Sequence, residues 1–174
     1  FKNNNMGFLI FVWHGQSIWN LEKRFTGWVD IDLTEKGKLE AEKAGLLIKK
    51  KNINIDLYFS SFQLRAENTL KIILKVLDVK KNFLKAWQLN ERHYGALTGL
   101  NKIEMGKKLG EDKVYKFRRS WNIRPEPLSK ESAYHPINIK TYKNIPKNII
   151  PDTESLKDTY ERVLEYFNKE IQKK

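Results

Sequence analysis

Apolar and polar positions along the chain predict strands that alternate with helices. A continuous apolar run from Phe8 to Val12, ending at His14 and Gly15, predicts a buried strand that delivers a side chain at its carboxyl end. Residues 55–59 predict a second strand, and residues 83–87 predict a short third. In open α/β sheets, ligands bind at the carboxyl ends of the strands. The pattern therefore places candidate chemistry at His14.

Helical periodicity separates these strands. Thr34 is a suitable cap for a helix running to about Lys50, and a second helix is predicted from about Gln63 to Leu77. The inner stripes expected are Ala41, Ala44, Leu47 and Ile48 on the first helix, and Ala66, Leu70, Ile73 and Leu77 on the second.

The character of the chain changes after Leu97. Asn101 and Glu104 predict a capped short helix, followed by a helix over residues 111–121. Prolines between positions 125 and 151 punctuate a long irregular segment, which is typical of a functional or disordered loop. Thr153 is then expected to cap an amphipathic helix. Its apolar stripe comprises Leu156, Tyr160, Val163, Leu164, Phe167 and Ile171.

This order of elements predicts the α/β class, as a three-layer sandwich with a mostly parallel sheet flanked by helices. We expect residues 1–174 to form a single domain. Three strands are few for such a sheet, and no strand follows the last apolar helix. The domain is therefore expected to be incomplete at its C-terminus and to lack the terminal strand or strands.

Composition narrows the class further. The hydrophobic fraction of 40% and aromatic fraction of 12% suit a folded protein, and the absence of cysteine excludes disulfides and thiolate metal sites. The apolar run at residues 8–12 is far shorter than the roughly 20 residues of a membrane helix. It also lacks signal-peptide features, so we predict a cytoplasmic protein without a membrane partner.

The net charge of +12 permits three interpretations: nucleic-acid binding, a site for small anions, or compositional drift towards lysine. The lysines are scattered, which favours drift, and no nucleic-acid-binding motif is present, so no nucleic-acid partner is predicted. Arginine is more informative because the chain has only seven. A lysine-rich chain is expected to keep arginine where its planar fork binds phosphate or carboxylate.

His14 is either a structural histidine or a nucleophile for phosphorus, a role that requires a neutral, oriented ring. A transferred phosphoryl group needs donors and cations around its oxygens. Candidate donors are Ser17, Asn20, Thr26 and the Gly27 amide; candidate cations are Arg65, Arg92, Lys102, Arg118 and Arg119. Glu91 is either the proton carrier or the partner of Arg92 in a simple ion pair. Tyr94 and His93 suit either a site or the core.

Five strings together are more specific than any one of them: HGQSIWN, RFTGWVDIDLTEKG, LNERHYGALTGLNK, FRRSW and TESLKDT. In this order they resemble the cofactor-dependent phosphoglycerate mutases of the histidine phosphatase superfamily, from about Gly7 to the end. The resemblance implies an α/β fold and the interconversion of 3-phosphoglycerate and 2-phosphoglycerate, primed by 2,3-bisphosphoglycerate. It also implies no metal, phosphoglycerate substrates and a homo-oligomer of two or four subunits.

Matching positions imply individual roles. His14 corresponds to the phosphorylated nucleophile and Glu91 to the general acid and base. The implied substrate and phosphate contacts are Ser17, Asn20, Thr26, Gly27, Arg65, Arg92, His93, Tyr94, Lys102, Arg118 and Arg119.

Two departures from the family pattern leave alternatives open. Trp13 stands where the family has an arginine, and an indole offers one donor and no charge. The family also continues into a strand ending in Ala-His-Gly-Asn, which supplies a second active-site histidine beyond the end of this chain. The chain is thus expected to be a fragment or a degenerate paralogue. The alternative functions are a phosphate-binding relative without activity and a histidine phosphatase.

Overall fold

The structure, a computed structural model, describes residues 8–172. Within that range the helices α1 to α6 span Ile18–Leu21, Glu35–Lys50, Leu64–Val76, Lys102–Leu109, Glu111–Arg119 and Leu156–Tyr166. The strands β1 and β2 span Phe59–Ser60 and Leu84–Lys85. Short 3₁₀ turns span Trp87–Leu89, Gly95–Leu97, Pro136–Asn138, Lys140–Tyr142 and Lys147–Ile149, and a π-helical turn spans Phe167–Ile171. The described range contains no helix of the length and apolarity required to cross a membrane.

Helices α2 and α3 form where the periodicity predicts them. The Thr34 hydroxyl accepts a hydrogen bond from the Gly37 amide at 3.0 Å, which caps α2 as expected. The buried faces are rotated about the helix axes from the predicted stripes, because small and polar residues contribute much of the buried surface of each helix. In α2 the buried residues are Gly37, Ala41 and Gly45, and in α3 they are Arg65, Thr69, Ile73 and Leu74.

The sheet is parallel, as predicted, but short. Phe59 pairs with Leu84 and Ser60 with Lys85, so only parts of the predicted second and third strands are paired. Helices packed against a small parallel sheet agree with the predicted α/β class. Within the described range the sheet has two strands, which is fewer than the predicted sandwich needs.

The predicted first strand, Phe8 to Val12, is wrong in this structure. The segment has no regular secondary structure, and its side chains are exposed, Phe11 to 85%. No strand among residues 8–172 pairs with it. A buried strand needs neighbours for its backbone groups and cover for both faces. The apolar run therefore indicates which side chains the segment could bury. Whether they are buried depends on neighbouring strands and helices.

Two apolar clusters form the core. The first joins α4 and α5 to the loop after α1 and comprises Phe25, Leu97, Met105, Val114 and Phe117. The second comprises Trp28, Tyr142, Ile145 and Ile150. It binds the proline-punctuated segment to the rest of the domain, since the Tyr142 hydroxyl donates to the Trp28 carbonyl at 2.6 Å. That segment is therefore packed against the core, and it contains short 3₁₀ turns.

The helices after Leu97 follow prediction with small shifts. The Asn101 side chain caps α4 by accepting from the Ile103 and Glu104 amides, and α5 ends at Arg119 rather than at position 121. The cap predicted at Thr153 is wrong: Ser155 caps α6 in a capping box with Asp158. On α6, the stripe residues Leu156, Tyr160 and Leu164 are exposed.

Candidate active site

A tight turn carries His14 onto helices α2 and α3. A Cβ atom at Gly15 would lie 2.0 Å from the Gly37 carbonyl oxygen, so only glycine allows this approach. The Gly15 amide donates to the Thr69 hydroxyl at 3.1 Å, and that hydroxyl donates to the Arg65 carbonyl at 2.8 Å. The backbone beside His14 is therefore fixed to α3, although the preceding apolar segment is not paired.

The surroundings of the His14 ring define its tautomer. Its Nδ1 lies 2.7 Å from the Gly15 carbonyl oxygen, which can only accept, so Nδ1 carries the proton. Nε2 then keeps its lone pair and accepts from Arg65 Nε at 3.2 Å. Burial lowers the pKa of His14; the Gly15 contact opposes this shift, and the Arg65 charge adds to it. A neutral ring with an unprotonated Nε2 is the form that can attack phosphorus.

Arg65 is the centre of the site. Its side chain is 0% exposed, and it donates to His14 Nε2 and, at 2.7 Å, to Glu91 Oε2. It also donates to the Gly27 carbonyl at 2.9 Å and to the Val29 carbonyl at 3.1 Å. This use of a planar fork is what the scarcity of arginine predicts. The guanidinium therefore binds both the candidate nucleophile and the candidate proton carrier.

Glu91 is held through its backbone as well as its carboxylate. Its amide donates to Gln63 Oε1 at 3.2 Å, and the Gln63 amide group donates to the Gly27 carbonyl at 2.7 Å. The Glu91 carboxylate remains partly exposed while paired with Arg65. It therefore pairs with Arg65, in contrast to the simple Arg92 pair that the sequence left open.

A second group of cations lies beside Tyr94. The Arg92 guanidinium carbon is 4.9 Å from the Tyr94 ring centre, and Arg92 Nη2 donates to the Arg118 carbonyl at 2.8 Å. Burial lowers the pKa of Lys102, and the nearby Arg118 charge acts in the same direction. Burial raises the pKa of Tyr94, and the Glu91 charge adds to that rise. Charged residues from three separated segments therefore lie near one another beside Tyr94.

Several buried side-chain atoms among residues 8–172 have no hydrogen-bond partner, and two of them, the Thr26 hydroxyl and Arg92 Nη1, belong to predicted phosphate contacts. Gly27, with φ +53°, packs on the backbone of Arg92 and Tyr94, where a Cβ would be 3.2 Å from the Arg92 carbonyl. Buried donors without acceptors are uncommon. They suit an anionic ligand such as a phosphate group.

The remaining predicted contacts lie in different settings. Ser17 and Asn20 cap α1 reciprocally, with the Asn20 amide donating to the Ser17 hydroxyl at 3.2 Å. Arg119 is exposed at the end of α5, because adjacent helical residues point about 100° apart. His93 is buried, and its Nδ1 accepts from the Gly95 amide at 2.9 Å. Their roles as substrate contacts stay predictions, and for His93 the buried setting favours the core interpretation.

The Trp13 side chain lies in solvent beside the site. Its side chain is 83% exposed, and its ring centre is 5.8 Å from that of His14, with 34° between the planes. The indole therefore flanks the candidate nucleophile from the solvent side. It supplies no charge where the resemblance implies a guanidinium.

Two site residues, Gln63 and Arg162, were missed by sequence reasoning. Gln63 looks like an ordinary helix-start residue, and nothing in the pattern marks it. Arg162 is one of the seven arginines, so the scarcity of arginine was a signal that pointed to it. Its side chain reaches the Gln88 and Glu91 carbonyls from α6.

Comparisons with known proteins show the family of this chain. The sequence profile of the histidine phosphatase superfamily (branch 1) matches residues 9–136. A mycobacterial glucosyl-3-phosphoglycerate phosphatase has a similar fold, with a TM-score of 0.65 at 19% identity over 91% of this chain and 66% of the other. A phosphoglycerate mutase from Thermus thermophilus is similar with a TM-score of 0.55 at 22% identity, over 91% and 69%. The chain belongs to the histidine phosphatase superfamily.

Two curated relatives are closer in sequence. The 2,3-bisphosphoglycerate-dependent phosphoglycerate mutase of Pelagibacter ubique (strain HTCC1062) is 66% identical over 169 residues, which are 97% of this chain and 71% of the relative. The enzyme of the same description from Borreliella burgdorferi (strain ZS7) is 50% identical over 166 residues, which are 95% and 67%. The chain thus spans about seven tenths of the length of these relatives.

Proposed function

We propose that this chain interconverts 3-phosphoglycerate and 2-phosphoglycerate through a phosphohistidine at His14. The observation that carries the proposal is the buried Arg65 guanidinium, which donates to both His14 Nε2 and Glu91 Oε2. A neutral nucleophile and a proton carrier therefore lie on either side of one cation. The 66% and 50% identical relatives, both described as 2,3-bisphosphoglycerate-dependent phosphoglycerate mutases, support the substrates and the primer.

The site residues suit a polyanion. The unpartnered Thr26 hydroxyl and Arg92 Nη1 would donate to its oxygens, and Lys102 and Arg118 would offset its charge. 2,3-bisphosphoglycerate would supply the first phosphoryl group when bound.

The residues then divide the chemistry between them. With His14 phosphorylated, Glu91 removes the proton from the free hydroxyl of 3-phosphoglycerate, and that oxygen takes the phosphoryl group from His14 as the nitrogen–phosphorus bond breaks. In the return step, the His14 Nε2 lone pair forms a bond to the phosphorus on the neighbouring carbon, the phosphorus–oxygen bond there breaks, and the departing oxygen takes the proton back from Glu91, which leaves 2-phosphoglycerate. Arg65 Nε, released from the ring, donates to the transferred oxygens.

Incubation with ³²P-labelled 2,3-bisphosphoglycerate tests the proposal. We expect acid-labile label on the chain, mapped to His14 by mass spectrometry and abolished by His14→Gln. With 3-phosphoglycerate added, we expect 2-phosphoglycerate to appear in an enolase-coupled assay. Folded protein that takes up no label would favour the alternative, a phosphate-binding relative without activity.

A histidine phosphatase is the second candidate, because the Glu91 carboxylate is 29% exposed and the segment beside His14 is uncovered. Water that reaches the phosphorylated ring would release free phosphate. The ratio of isomerisation to phosphate release separates the two activities.

The cytoplasmic location and the homo-oligomer belong to the same proposal. Cell fractionation and light scattering test them directly.

A further inference from the structure

Arg162, in the middle of α6, reaches the backbone of the loop that carries Glu91. Its Nη1 donates to the Gln88 carbonyl at 2.7 Å, and its Nη2 donates to the Glu91 carbonyl at 3.2 Å. The side chain is 11% exposed. A guanidinium buried to this extent is placed by its partners, and two of those partners are peptide groups at and near the proposed proton carrier.

Glu154 completes the connection. Its carboxylate accepts from Arg162 Nε at 2.6 Å and from Arg162 Nη2 at 2.9 Å, and it also accepts from the His93 amide at 2.8 Å. The Glu154 amide in turn donates to the His93 carbonyl at 3.0 Å. The buried ion pair therefore grips the loop on both sides of Glu91, at Gln88 and at His93.

The orientation of this pair is restricted further. The Arg162 guanidinium carbon lies 5.4 Å from the ring centre of Trp28, a core residue. On the other side of the loop, the Glu91 amide donates to Gln63. The Glu91 amide and carbonyl are thus bound by the side chains of Gln63 and Arg162, and other contacts hold each of these side chains in place.

We propose that Arg162 is a positioning residue, which sets the Glu91 carboxylate at its place beside Arg65 through the Glu91 peptide. The inference rests on the proposed function, in which Glu91 transfers the proton. Proton transfer needs the carboxylate within about 2.6–3.2 Å of the reacting oxygen. A misplacement of about 1 Å can lower a rate about 100-fold.

The test is a double-mutant cycle in the isomerisation assay with the full chain. Arg162→Met keeps an unbranched apolar stem and removes the five donors of the guanidinium. We expect it to lower kcat by about 10- to 100-fold with little change in KM, and Arg162→Lys to recover part of the loss. In a Glu91→Gln background, the same Arg162→Met change should alter kcat less than about threefold, because the proton carrier is already absent.

Arg124→Met is the matched control. Arg124 also forms a two-bonded ion pair with a carboxylate of α6, Asp158, at 2.6 and 2.5 Å, but its side chain is 58% exposed and donates no hydrogen bond to residues 88–93. It should leave kcat unchanged. A loss of kcat by Arg162→Met that equals the Arg124→Met loss, or that persists in full in the Glu91→Gln background, overturns the inference.

Amide hydrogen exchange separates this inference from the proposed function. Arg162→Met should speed exchange at residues 88–93 at least about tenfold relative to Arg124→Met, with helix α2 unchanged, because a lost anchor opens the loop locally. If the chain transfers no phosphoryl group, the proposed function fails, and exchange alone decides whether Arg162 holds the loop. Uniform acceleration over the whole chain, or none at residues 88–93, overturns it.

Discussion

The surroundings of Arg65 and the segment from Phe8 to Trp13 meet at His14 and differ in almost every respect. The Arg65 side chain is buried and donates hydrogen bonds to His14, to the loop after α1 and to Glu91. In the Phe8–Trp13 segment, apolar side chains are exposed and the backbone has no strand partner within the described range. Local turns and helices therefore build the site, whereas the apolar segment depends on strand neighbours that are not found among residues 8–172.

The largest effect is expected from removing the centre of the first region. Arg65→Met leaves the Glu91 carboxylate and the buried Val29 carbonyl without their donor, and leaves Gln63 as the donor to the Gly27 carbonyl, which should lower the free energy of unfolding by about 3 kcal/mol. Phosphoryl transfer to His14 should be lost. Urea unfolding and ³²P labelling measure both.

Arg65→Lys is its control, because lysine keeps the charge and loses the fork. Recovery of full labelling by lysine would show that charge alone holds the site together.

Low pH is expected to have the next largest effect. Burial lowers the pKa of His93 to about 3 from an ordinary value of 6.5. Between these values the unfolded chain binds the proton and the folded chain does not, so the free energy of unfolding falls as the pH is lowered. The slope approaches 1.4 kcal/mol per pH unit, which amounts to about 2 kcal/mol between pH 6.5 and pH 5.

Urea unfolding at several pH values tests this expectation. His93→Asn keeps an acceptor for the Gly95 amide and removes the titrating group, so its slope should be smaller. An unchanged slope in His93→Asn would assign the acid sensitivity to other groups.

Trp13→Arg tests position 13, where the two regions meet. Arginine restores the donor and charge implied by the resemblance, and we expect a rise of about tenfold in the rate of His14 labelling, below the full value of a buried donor because position 13 is exposed. The free energy of unfolding should change by less than about 0.5 kcal/mol. Rapid-quench labelling gives the rate.

Trp13→Gln separates removal of the indole from gain of a cation. If it accelerates labelling as much as arginine does, the indole acts only as an obstruction.

The smallest effect is expected in the exposed segment. Phe11→Ser should change the free energy of unfolding by less than about 0.5 kcal/mol, since the ring is already in water. Phe25→Ala, in the first core cluster, should cost about 3–5 kcal/mol. Thermal or urea unfolding compares the two, and a large loss at position 11 would mean that the segment is buried in solution.

What could be predicted from the sequence follows the same division. The caps at Thr34 and Asn101 depend on neighbouring residues, and both predictions are confirmed. The cap of α6 was misplaced because Thr153 and Ser155 are equally suitable residue types. Ser155 caps because Asp158 completes its box, while the Thr153 hydroxyl donates to the Pro125 carbonyl, a contact 28 residues away.

The site was only partly predictable for a related reason. The family resemblance pointed to His14, Arg65 and Glu91, which the structure brings into contact. It did not reveal that a single guanidinium joins the other two, nor that Gln63 and Arg162 hold the Glu91 peptide. Such contacts depend on tertiary packing that periodicity does not describe.

The hydrogen bond between His14 Nδ1 and the Gly15 carbonyl has a chemical consequence of its own. A phosphorylated imidazole exists as two isomers, named π and τ for the nitrogen that carries phosphorus. With its π nitrogen occupied by a backbone carbonyl, this ring can yield only the τ isomer, which isomer-specific antibodies distinguish from the π form.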